Sequence, residues 1–186
     1  MAVARDPDAV LIDHAHCEMK AASNALSLVT RHPGNFVLAR ALTALAREEI
    51  DHFDRVMGFI ERRGLTLGHP PVDEYAAKLR SAASRLPRDG TPILVDRLLV
   101  AALIEARSCE RFKLLLGVVG GDHELSSFYE DLFACEAKHF RTYTDLARQA
   151  SGGDDARVER RLRMVAEAEG ELVASGLGAP QAMVHG

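Results

Sequence analysis

Two tetrads carry the pattern most able to do chemistry in this sequence: Glu49-Ile50-Asp51-His52 and Glu136-Ala137-Lys138-His139. In an α-helix, residues three apart stand on one face, so the Glu and His of each tetrad can bind one metal ion. With 14 Glu and 8 His in 186 residues, chance supplies roughly 0.6 such tetrads, so the pair is not decisive alone. The upstream carboxylates add the weight. Glu18 precedes Glu49 by 31 residues, and Glu105 precedes Glu136 by the same interval. At this composition a given position is Glu only about one time in thirteen.

The chain therefore reads as two copies of one unit, a Glu followed 31 residues later by Glu-x-x-His. Such an interval crosses the turn of a helical hairpin and returns to a similar height on the antiparallel neighbour. Two copies related by a pseudo-twofold would gather Glu18, Glu49, His52, Glu105, Glu136 and His139 at one centre. Four carboxylates with two imidazoles suit a pair of iron ions, or manganese in their place.

The elements that must position these residues are helices. Abundant Ala, Leu, Arg and Glu, with apolar residues three and four apart, set the helical period. Asp6-Pro7 reads as a cap and first-turn proline opening a helix that runs to about Arg31, where His32-Pro33-Gly34 breaks it. A second helix is expected from about Asn35 to Arg63, stopped by Gly64. Residues 65–72 form a connection, and a short helix follows over about 73–85. Thr91-Pro92 is read as the cap and first turn of a third long helix ending near Gly120-Gly121. Asp122 can cap a fourth, reaching about Ala150; a charged helix over 154–174 and a frayed tail over 176–186 complete the chain.

Four helices of this length are too long for an irregular helical fold. They suit an all-α, ferritin-like four-helix bundle, with a long crossover between the second and third long helices and an extra C-terminal helix. Residues 1–175 read as one domain, and nothing in the sequence signals a second. Leu11, Ala15, Glu18, Ala22, Ala25 and Val29 share one stripe of the first helix; Leu94, Leu98, Ala101, Glu105, Phe112 and Leu116 share one of the third. Glu18 and Glu105 thus stand on apolar faces, where an unpaired carboxylate costs several kcal/mol. A metal supplies the missing cation; the plainer alternative is pairing with Arg107, Arg111 or Lys20 at helix edges.

Other candidates weigh less. Glu110 competes with Glu105, and the repeat spacing favours Glu105. His14, one turn before Glu18, is open to three roles: metal ligand, hydrogen-bond partner or partly buried histidine. His16, His32, His69, His123 and His185 fall on outer faces, loops or the tail and are expected to be solvated. Cys17, Cys109 and Cys135 are odd in number and lack C-x-x-C spacing, which fits small buried side chains in a reducing cytosol better than disulfides or a zinc finger.

Composition excludes more than it selects. The 47% apolar and 27% charged content argues against disorder, and no apolar run approaches the length of a membrane span. No P-loop, dinucleotide fingerprint or Ser-His-Asp order is present. Net charge of −4 gives no general grip on nucleic acid, though it includes the four carboxylates assigned to metal. Arg157, Arg160, Arg161 and Arg163, with Arg62, Arg63, Arg80, Arg85 and Arg88, could meet phosphate, but such runs are more often solvated faces.

Four segments resemble one family: LIDHAHCEMKAASNALSLV (11–29), LAREEIDHFDRV (45–56), LIEARSCERFKLL (103–115) and CEAKHFRTYTDLAR (135–148). They look like the ligand-bearing helices of the tRNA 2-methylthio-N6-isopentenyladenosine hydroxylases. The resemblance covers about residues 10–150, including the RRGLTLGHPPVDEYAAKLR connection; family members carry a longer segment before the first of these helices. It implies a cytoplasmic non-haem diiron monooxygenase that hydroxylates the isopentenyl group of a modified adenosine beside the tRNA anticodon. Two iron ions, O2 and an unidentified electron donor would be needed, and no membrane. By motif match the metal ligands are the same six residues, with no separate acid or base. A ferritin- or rubrerythrin-like ferroxidase or peroxidase without RNA would use the same ligands, and a metal-free helical scaffold is the third class.

Overall fold

The computed structural model describes residues 7–70, 72, 74–117, 119 and 121–176. Among these are six α-helices and no strand: α1 (Pro7–Arg31), α2 (Phe36–Arg62), α3 (Glu74–Arg85), α4 (Ile93–Leu116), α5 (His123–Ala150) and α6 (Asp155–Ala174). Four of them are long, the long stretch between α2 and α4 is the expected connection with its short helix, and α6 is the extra C-terminal helix. No helix of the described residues is long and apolar enough to cross a membrane. Asp6 and residues 177–186, the expected first cap and most of the expected tail, lie outside the described residues. The helices fall into two compact units, α1–α2 and α3–α6.

The first unit is a helical hairpin. Its turn is set by Asn35, whose side chain accepts from the Leu38 amide at 3.0 Å and so caps α2. At the far end Gly64 adopts φ +66°, with its own amide bonded to Glu61 O and that of Leu65 to Ile60 O. These two bonds define a Schellman termination, which a residue with a Cβ would strain. Ala15, Ala22 and Ala25 on α1, and Leu38, Leu42, Leu45 and Val56 on α2, are all buried. Arg63 reaches Asp8 at 2.8 Å, tying the end of α2 to the start of α1.

Beyond Gly64 the chain comes back onto α1, and His16 Nε2 pairs with Leu67 O at 3.1 Å. His16 is consequently buried rather than solvated as expected. Helical periodicity alone put it on an outer face; a connection without periodicity covers that face.

The second unit pairs α4 with α5 and adds α3 and α6. Asp122 caps α5 by accepting from Leu125 N, and Asp154 caps α6 by accepting from Arg157 N. The expected Thr91 cap of α4 is not made. Pro92, with ψ 143°, occupies the cap position itself without a side-chain hydrogen bond, and the Thr91 hydroxyl turns back to donate to Asp89. Helix α4 also ends at Leu116, with Gly117 as its C-cap, ahead of the expected glycine pair.

Two charged clusters fasten α6. Arg161, expected among solvated arginines, is 2% exposed. Its Nε and Nη2 donate to the two Asp96 oxygens at 2.7 and 2.9 Å, and its remaining donors reach Pro87 O and Ala83 O. This bidentate geometry satisfies most of the guanidinium and binds α6 to α4 and to the end of α3. Two turns later Glu169 accepts from Tyr75 Oη of α3 at 2.9 Å and from Arg107 of α4. Burial, then the Glu169 charge, pushes the Tyr75 hydroxyl well above its ordinary value, so it stays a donor. Between the clusters Val165 packs with Tyr75, Leu79, Ala83 and Val100. Arg80, Arg85, Arg160 and Arg163 are exposed.

Removing one partner of a buried pair strands the other charge. Asp96→Ala should therefore lower stability by about 3–5 kcal/mol in urea unfolding followed by circular dichroism. The double variant Asp96→Leu/Arg161→Met should recover most of that loss.

Candidate metal centre

The six predicted ligands lie mid-helix on faces that are otherwise apolar. Glu18 of α1 has Ala15 and Ala22 one turn to either side, and Glu49 of α2 has Leu45 and Val56 on its stripe. Glu105 of α4 shares a stripe with Leu98 and Phe112, and Glu136 of α5 with Leu132 and Tyr143. These neighbours bury the face, and the ligands go in with them: none of the six exposes more than 6% of its surface. Mid-helix placement also denies the carboxylates any help from a helix N-terminus.

Each unit gathers its own three. In the first, ligand atoms of Glu18, Glu49 and His52 lie within 4.8 Å of one another. His52 Nδ1 stands 3.5 Å from Glu18 Oε2 and 3.6 Å from Glu49 Oε2. In the second, Glu105, Glu136 and His139 meet the same 4.8 Å limit, with His139 Nδ1 3.7 Å from Glu136 Oε2. In both, Nδ1 is the imidazole nitrogen turned to the carboxylates. The distances exceed a hydrogen bond, as expected of groups that can share a cation rather than bond each other.

The electrostatics fit the same use. Glu18 Oε2 and Glu136 Oε2 are buried and have no hydrogen-bond partner. Such orphaned oxygens are costly unless a cation neutralises them. Burial by itself would raise the Glu18 carboxyl; the hydrogen bond and charge of His14, with contacts to His52 and Glu49, outweigh it and hold the group well below its ordinary range. Glu18 is thus an anion at neutral pH. The oxygen-rich, imidazole-containing clusters are compatible with a metal site.

The residues left open by the sequence now have places. His14 is buried, with Nε2 2.6 Å from Glu18 Oε1, so it is a hydrogen-bond partner of that carboxylate. Glu110 is exposed and ion-paired with Arg107, away from Glu136 and His139. The three cysteines are half-buried, and none is in a disulfide. Burial, then the Glu136 charge, pushes the Cys109 thiol up to about 11, which suppresses its thiolate. Cys135 Sγ lies 3.4 Å from His139 Nε2, the nitrogen turned away from the carboxylates. Sequence reasoning missed that contact, although its signal, a polar atom one turn before the histidine, was available. Of the remaining histidines, His69 and His123 are exposed, His32 is half-buried, and His185 lies outside the described residues.

Fold and clusters together define a ferritin-like helical protein whose buried carboxylates and histidines can hold metal. Among solved structures it is similar to protein 43 with aldehyde deformylating oxygenase activity from Synechococcus, at 41% identity and TM-score 0.79, covering 91% of this chain and 81% of that one. The chain belongs to the tRNA-(MS[2]IO[6]A)-hydroxylase (MiaE) family, whose model matches residues 1–184. Two relatives carry the name tRNA 2-(methylsulfanyl)-N(6)-isopentenyladenosine(37) hydroxylase. The one from Pseudomonas putida (strain KT2440) is 43% identical over 171 residues, 91% of this chain and 80% of its own. The one from Salmonella typhimurium (strain LT2) is 29% identical over 223 residues, 92% of this chain and 79% of its own.

The orphaned Glu136 oxygen gives a direct stability test. In chelator, where no metal offsets its burial, Glu136→Leu should raise stability by about 1–2 kcal/mol, measured by urea unfolding. An equal or lower midpoint for the variant would show that Glu136 is already satisfied within the protein.

Proposed function

We propose that Glu18, Glu49 and His52 of the first unit and Glu105, Glu136 and His139 of the second are halves of one dinuclear iron centre, within a single domain spanning residues 1–175. The reaction is hydroxylation of the isopentenyl side chain of (2-methylthio-)N6-isopentenyladenosine next to the tRNA anticodon. The observation that carries it is the doubled cluster, two carboxylates and one imidazole buried twice in one chain. Family membership and the named relatives supply the substrate class.

Iron, when bound, supplies reductive activation of O2, which helical side chains alone cannot. Overall, one oxygen atom enters an allylic C–H bond and the other leaves as water, with two electrons from a donor and two protons. The protein's own part is threefold. Its four carboxylates would offset the charge of two divalent ions, and His52 and His139 would complete an oxygen-rich set. The apolar stripes around each of these residues would keep bulk water from that chemistry. The hydrophobic target group suits the same surroundings, and the anticodon loop is single-stranded, so its bases can be unstacked for access. No separate acid or base is assigned. A tRNA substrate fits work in the cytoplasm, the electron donor is unassigned, and manganese can substitute in the same ligand set.

Two measurements test the reading. The purified chain should bind about two irons, and Glu105→Ala should lose metal and activity while keeping its helical circular dichroism; unchanged iron content would remove Glu105 from the site. Nucleoside analysis of tRNA from cells with and without the gene should show hydroxylated isopentenyladenosine only with it. Iron oxidation without any tRNA product would instead support the ferroxidase reading.

A further inference from the structure

The two copies of the repeat differ behind their ligands. Glu18 and Glu105, Glu49 and Glu136, and His52 and His139 each stand 87 positions apart. At the same offset, His14 matches Ala101. One copy therefore has an imidazole one helical turn before its first carboxylate, where the other has a methyl group.

The imidazole is in use. His14 Nε2 lies 2.6 Å from Glu18 Oε1, and both side chains are buried. An ionised carboxylate only accepts hydrogen bonds, so the proton of this contact is on Nε2. A short, charge-assisted bond of this kind occupies one oxygen and fixes the carboxylate's rotation. The other oxygen, Oε2, is the one with no hydrogen-bond partner, and it faces His52 Nδ1 at 3.5 Å. Glu18 thus offers a metal one oxygen and has the other held by protein.

We propose that His14 is a positioning residue that fixes Glu18 as a one-oxygen ligand of the metal position of α1 and α2. This rests on the dinuclear reading above. A one-oxygen ligand has a use in the proposed reaction: a position with fewer protein oxygens leaves more of the metal's coordination sphere for a small molecule such as O2. The alternative role for His14 is packing alone, as one more buried ring among Leu11, Ala15 and its neighbours.

The test is anaerobic titration of the metal-free full chain with 57Fe(II), followed by Mössbauer spectroscopy. Variants His14→Phe, which keeps ring volume without a donor, and His14→Gln, which keeps a donor, separate positioning from packing. The wild-type chain should take up two irons, whose quadrupole doublets give the reference. His14→Phe should weaken one uptake step about 10–100-fold and change one doublet only, since partners behind a ligand typically carry that much affinity. His14→Gln should restore both. Equal weakening of both steps, or a Phe variant that binds as wild type, would overturn the proposal. Should His14→Phe lose its helical circular dichroism, His14→Ala takes its place. Fewer than two irons in the wild type would defeat the dinuclear reading itself, and the His14 proposal with it.

Discussion

The cost of burying carboxylates on apolar helical faces is the constraint on which the rest of this protein depends. Glu18, Glu49, Glu105 and Glu136 are all nearly inaccessible to water, and all lie in the middle of helices. Mid-helix backbone amides are already bonded within the helix, so they cannot stabilise an anion as a helix N-terminus can. Only side chains or a bound cation can do so. Long helices follow from this need, because a ligand several turns from either end requires many residues on both sides to bury the stripe around it. The caps at Asn35 and Asp122 and the termination at Gly64 then fix where each of those helices begins or ends.

Two buried ionic arrangements in the second unit show how differently such groups can be treated. Asp96 receives two hydrogen bonds from Arg161, and Arg161 spends its other donors on two backbone carbonyls. Charge and hydrogen-bonding capacity are both met within the protein, which makes the cluster a structural fastening. Glu136 has His139 nearby, but at 3.7 Å, and one of its oxygens has no hydrogen-bond partner. The same elementary cost is settled in the first case and left open in the second. That difference separates a buried ion pair from a candidate ligand set more sharply than burial does.

Much of the fold was legible because its signals are local. The 3.6-residue period, the Asn and Asp caps and the Gly64 stop are set within a turn or two of chain, and the observed helices start and end within a few residues of the expected places. The ligand candidates were legible for a related reason: the repeat interval depends only on helix rise and turn length. What the sequence hid lies in long-range contacts. His16 is buried by an aperiodic connection 51 residues away, and Arg161 by an aspartate 65 residues away. Neither partner leaves a mark near the residue it buries. Thr91 misled for a different reason, since its hydroxyl had a nearer acceptor in Asp89 than the amides of α4.

Helices α3 and α6 carry none of the proposed ligands, yet their contacts bear on them. Glu169 holds Arg107, two residues beyond Glu105 on α4, and Tyr75 donates to the same Glu169 oxygen. Arg161 holds Asp96, nine residues before Glu105 on that helix. The stretch of α4 around Glu105 is therefore clamped on both sides by charged contacts to one helix, with Val165 packed between them. A helix that buries a carboxylate mid-length would otherwise tend to rotate or fray to bring it to water. Two clamps separated by three turns oppose rotation as well as displacement, which a single contact could not do. On this argument the extra helices preserve a costly arrangement in α4 that its own sequence would not maintain.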